Sequence, residues 1–108
     1  MAEERTAPLT RAELECKLEA WAAGSLSSEA LCEWVEANYL PLHIEVGPGE
    51  PSHTREAMHT ILSAFDHSDP AGAKPSAASS ALAFLHTGAD SFSENERNFL
   101  DLCFEAPR

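Results

Sequence analysis

A chain of 108 residues suits one domain, because a division would leave each half about 50 residues and too little interior. Apolar residues make up 44% of the chain and aromatic ones 7%, enough to fill a modest core and more than a disordered tail carries. With 18 acids against 7 Lys and Arg, the net charge of −11 opposes a phosphate backbone, and no nucleic-acid partner is expected.

The longest apolar stretches, such as Ala20–Ala23 and Ala81–Leu85, fall far short of the roughly 20 residues a membrane helix needs. Glu3 and Glu4 make the start acidic and no apolar signal core follows, so the expected location is the cytoplasm. Cys16, Cys32 and Cys103 are odd in number and lack close pairing, which fits free thiols in a reducing compartment. Cys103, between Phe99, Leu100 and Phe104, reads as a small core hydrophobe; Cys16 and Cys32, on neighbouring helices, read as buried or half-buried thiols.

In chain order, Met1–Leu9 reads as a flexible tail, and residues 10–108 as a single helical-bundle domain. Thr10 with Glu13 fits a capping box, Leu14, Leu18, Trp21 and Ala22 follow at helical spacing, and Gly24 supplies a left-handed stop. Glu13 and Lys17 stand at i,i+4 on the outer face, a pair worth about 0.3 kcal/mol. Ser27 is the natural cap of a second helix with Ala30, Leu31, Trp34, Val35 and Asn38 inward. The short Gly24–Ser27 connection makes the two helices antiparallel neighbours, with Trp21 and Trp34 as anchors.

From Tyr39 to Ser52, three prolines and two glycines forbid continuous helix, while Leu42, Ile44 and Val46 alternate with His43 and Glu45. This reads as an extended loop lying on the bundle, with an edge strand for a partner or second subunit as the alternative. A third helix starts near Ser52 or His53 and turns Ala57, Met58, Ile61, Leu62 and Phe65 inward. Ser68–Pro75 is the strongest linker signal. Ser76 then caps a fourth helix with Ala78, Leu82, Phe84 and Leu85 inward, closed by Gly88. A fifth, opened by Ser91 with Glu94 or Ser93 with Glu96, faces Phe99, Leu100, Cys103 and Phe104 inward and ends at Pro107. The expected fold is all-α, a small bundle of four to five helices with one long Pro/Gly-containing loop.

Sites of chemistry are scarce. His43, His53, His59, His67 and His86 show no metal-ligand spacing, and His59 and His67, two turns apart, stand about 12 Å from each other. Gly47–Pro51 lacks the Gly-Lys-Ser/Thr ending of a phosphate loop, and its prolines remove backbone donors. No G-x-S-x-G occurs. No catalytic, cofactor-binding or metal residue is assigned, no cofactor is expected, and the chain reads as non-enzymatic. The carboxylates are the remaining candidates. Glu29, Glu33 and Glu36 recur on one face of the second helix, which holds no base, and Glu45 and Glu50 follow in the loop. Such a face is either simply solvated or complementary to a basic protein partner.

The pattern Leu14-x3-Leu18-x2-Trp21-x2-Gly24-x-Leu26-Ser27-x3-Leu31-x2-Trp34 resembles the opening helical hairpin of the colicin-D-type immunity proteins. The resemblance implies a small acidic bacterial helical bundle that neutralises a nuclease toxin, typically one cleaving tRNA. The sharper expectation is then a binding protein presenting Glu29, Glu33, Glu36, Glu45 and Glu50 to a basic groove. The competing expectation is a structural role as a small helical scaffold or homodimer with Leu42–Val46 at its interface; monomer and homodimer both stay open.

Overall fold

Thr10 and Gly24 bracket the first helix. The Thr10 side chain accepts from the Glu13 backbone N–H at 3.2 Å, and Gly24 turns the chain at φ 83, a left-handed conformation that glycine adopts without steric cost. The computed structural model describes residues 8–39, 44–67 and 70–103. Five α-helices order these residues: α1 (Arg11–Ala23), α2 (Ser28–Asn38), α3 (Ser52–His67), α4 (Ala78–Leu85) and α5 (Phe92–Cys103). Short 3-10 turns at Pro70–Gly72, Pro75–Ala77 and Ala89–Ser91 join the later helices, and no strand forms among the described residues. The all-α bundle expected from the periodicity is the architecture found.

α1 buries Leu14, Leu18 and Trp21, whereas Ala22 is exposed, being rotated about 100° from Trp21. Ser27 caps α2 through a 3.1 Å bond from the Ala30 N–H, and Leu31, Cys32 and Val35 turn inward with Trp34 half-buried. The hairpin forms: Trp21 Nε1 donates to Ser28 Oγ at 2.9 Å, and the Lys17 ammonium lies 5.5 Å from the centre of the Trp34 ring. Lys17 thus stands over the Trp34 ring and links α1 to α2. The closest backbone neighbours are nevertheless different. α1 lies chiefly against α4, and α2 against α3.

The core is threaded by aromatic rings. Trp21 meets Phe65 edge-on at 5.3 Å, Phe65 lies 6.1 Å from Phe99, and Phe84 stacks on Phe99 at 5.8 Å and meets Phe92 at 5.1 Å. Each such contact adds about 0.5–1.5 kcal/mol beyond the area it buries. The expected inward residues of α3 are all buried, and Thr54 joins them.

Several expectations change. Leu9, read as the end of the tail, is 0% exposed; it forms a parallel bridge with Val46, donating its N–H to Glu45 O at 2.9 Å and accepting from Gly47 N at 2.9 Å. The stretch from Ile44 to Gly47 therefore lies on the bundle as expected, and its pairing edge at Val46 is taken by the chain's own Leu9. Gly47 at φ 67 fits only without a side chain, since a Cβ would meet Arg55 Cγ and Met58 Sδ at 2.9 Å.

The proline-rich linker is pinned: Ala73 is buried and the Lys74 N–H donates to Cys103 O at 2.7 Å. Ser76 does not cap α4. Pro75 starts a 3-10 turn that carries the chain into the helix through Ala77, whose side chain has no capping group. Gly88 at φ −86 precedes the next 3-10 turn and is no left-handed stop; α4 ends at Leu85, with His86 as its cap. In α4, Ala81 joins Ala78, Phe84 and Leu85 inside, and Leu82 is half-buried. In α5, Phe99 and Cys103 turn inward one helical turn apart, which leaves Leu100 and Leu102 on the outside at 42% and 53% exposure. Residues 1–7 of the expected tail, Leu42, His43, Phe104 and Pro107 lie outside the described residues.

Candidate functional site

The inward grip of Leu31 and Val35 fixes which side of α2 meets water. Glu29, Glu33 and Glu36, spaced by four and three positions, are exposed together along that outer side. Among the described residues no ion pair engages them. The base reaching α2 from α1 is Lys17, and it stands over the Trp34 ring.

The two loop acids separate from this face. Glu45 is exposed where its backbone carbonyl holds Leu9. Glu50 is bound by Arg11, Nε to Oε1 at 3.2 Å. Arg11 also extends Nη1 to His86 Nδ1 at 3.3 Å, and His86 Nε2 lies 3.1 Å from Glu15 Oε1. A guanidinium has no acceptor, so Nδ1 accepts there and the ring proton sits on Nε2, donated to Glu15. The chain Glu50–Arg11–His86–Glu15 ties the loop to the start of α1 and the end of α4. Of five acids singled out by the sequence, the structure groups Glu29, Glu33 and Glu36, leaves Glu45 on the loop, and engages Glu50 in this corner.

Sequence reasoning missed the surface beside α2. Tyr39, at the end of α2, and His59, on α3, share a hydrogen bond of 2.9 Å between Oη and Nδ1. Burial pushes the Tyr39 phenol above its ordinary pKa, and the negative charge of Asp66 adds to the rise, so the hydroxyl stays protonated at neutral pH. His59 lines two open grooves: one of about 410 Å³ with Ile44, Glu45, Val46, Ser52, Arg55 and Glu56, the other of about 450 Å³ with Tyr39, Thr60, Ser63, Ala64 and Leu100. The i,i+4 spacing of Arg55, His59 and Ser63 was visible in the sequence; the approach of Tyr39 from 20 residues away was not.

The cysteines divide. Cys103 is fully buried, with Sγ 3.2 Å from both Ser80 Oγ and Ala77 O, and burial pushes its thiol above the ordinary value. It is a core group, held as the neutral thiol. Cys32 is also buried, but Cys16 is exposed, because its position on α1 lies off the Leu14–Leu18–Trp21 stripe. Among the described residues no three His, Cys, Asp or Glu side chains gather to hold a metal ion, and no helix is long and apolar enough to cross a membrane. No protein-family model, curated protein or solved structure matches the chain.

Proposed function

We propose that the chain is a non-enzymatic acidic binding protein that docks the outer face of α2 on a basic partner protein. Following the resemblance of its helical hairpin, the partner is a toxic nuclease whose groove the protein occupies, as immunity proteins do. The observation that carries this reading is the set of three exposed carboxylates, Glu29, Glu33 and Glu36, on a helix without bases whose other side is locked into the core. A helix so held keeps its charges at fixed spacing, standing where nucleic-acid phosphates would otherwise lie. A dense negative field speeds the encounter with a basic groove and sets its orientation.

The test is the association rate of the full chain with a basic nuclease-like module encoded in the neighbouring reading frame. Between about 50 and 500 mM salt the Debye length shortens roughly threefold, and the rate falls steeply if charge steers the encounter. Replacing Glu33→Lys and Glu36→Lys together slows association at least about tenfold. A rate flat across salt and unmoved by the double reversal overturns the reading.

A second reading, a small homodimer or scaffold, is favoured by Leu100 and Leu102, the large apolar side chains left exposed on α5. Gel filtration with light scattering separates the two. A monomer supports the inhibitor, and a dimer that keeps its mass in high salt supports the structural role.

A further inference from the structure

The outward side of α3 is unused by the reading above. Arg55, Glu56, His59, Thr60, Ser63 and Ala64 succeed one another along it and line the two grooves in turn. His59 belongs to both, and its ring, tied to the Tyr39 hydroxyl, forms the saddle between them. The grooves thus make one furrow with unlike ends. At the first end Glu45 and Glu56 outnumber Arg55, over a floor of Ile44 and Val46. At the second end Ala64 and Leu100 present apolar surface, with the Glu96 carboxylate at its margin, 3.5 Å from Thr60 Oγ1. From Glu56 to Ala64 the helix axis advances about 12 Å. Tyr39 caps the C-terminal end of α2, so the second groove begins where that acidic helix ends.

The geometry points to this furrow as the seat of a short segment of the basic partner, with a Lys or Arg between Glu45 and Glu56 and an apolar side chain against Ala64 and Leu100. The inference rests on the binding-protein reading and names the part of the partner it recognises. Charge selects the occupant. A lysine stem lies along the Ile44 and Val46 floor while its ammonium reaches the two carboxylates. An acidic segment is repelled there, and a second copy of a chain carrying −11 brings the wrong sign. Residues four apart in an extended segment, at about 3.3 Å each, span the furrow and point their side chains the same way.

The experiment titrates the isotope-labelled full chain with a short Gly/Ser peptide carrying one Lys and one Leu at that spacing, followed by amide chemical shifts. Saturable shifts at Glu45, Glu56, His59 and Leu100 are expected, with a Kd of about 1 mM. Changing the peptide Lys to Glu weakens binding at least about fivefold, as do Glu56→Lys and Leu100→Ser in the chain, both exposed positions outside the core. No saturable shift, or equal binding of the Glu peptide, overturns the furrow as a seat. Shifts confined to Glu29, Glu33 and Glu36 also overturn it while leaving the α2 face standing. Furrow shifts retained alongside a salt-independent partner association remove the α2 reading alone. Shifts at Ala64 and Leu100 that grow with protein concentration, without peptide, mean a second copy fills the furrow, and likewise overturn the proposal.

Discussion

At the corner where α1, the end of α4 and the Ile44–Glu50 loop meet, acids have bases within reach: Glu50 holds Arg11 at 3.2 Å and Glu15 holds His86 at 3.1 Å. Along the outer side of α2, Glu29, Glu33 and Glu36 hold no ion pair among the described residues. The corner also carries backbone closure, through Leu9 and Val46, and it joins segments distant in sequence. Among the described residues, no ion pair ties the α2 face to another segment. One residue type therefore serves as framework in one region and as free charge in the other, and a tally of acids cannot distinguish them.

Three substitutions sharpen or break this contrast. The largest effect is expected at Leu9, which is fully buried in the corner: Leu9→Ala lowers the unfolding free energy by about 2–4 kcal/mol in chemical denaturation. A loss below about 1 kcal/mol would show that the corner is no framework. Arg11→Gln is milder. The Arg11 and Glu50 side chains are 36% and 25% exposed, so solvent screens their attraction and the loss stays under about 1 kcal/mol, shrinking further in high salt. The smallest effect is at Glu33→Gln. It relieves like-charge crowding with Glu29 and raises stability by a few tenths of a kcal/mol, about 0.3. Destabilisation beyond about 1 kcal/mol would make Glu33 structural and erase the contrast.

Local chemistry was legible in the sequence where it acts over a turn or less. Thr10 and Ser27 cap the helices they precede, Gly24 adopts the left-handed stop, and the buried side of α3 follows its apolar spacing. Contacts between distant segments were not legible. Leu9 looked like a tail because its partner, Val46, lies far along the chain. Leu100 looked internal because Phe99 and Cys103 flank it, yet a helix gives adjacent positions different faces. Ser76 had the right side chain for a cap, but Pro75 set a 3-10 turn first. Of the candidate site, the acids of α2 were readable from spacing alone. The engagement of Glu50 by Arg11 and the Tyr39–His59 pair needed the tertiary fold.

The two tryptophans occupy these regions unequally, and that makes the protein its own optical reporter. Trp21 is enclosed against Phe65, so its emission stays blue-shifted until the bundle opens. Trp34 is half-buried where α2 meets α1, beneath the Lys17 ammonium, so its emission follows the packing of that hairpin. One indole thus records the opening of the bundle and the other the seating of α1 on α2, in a single spectrum and without an added dye.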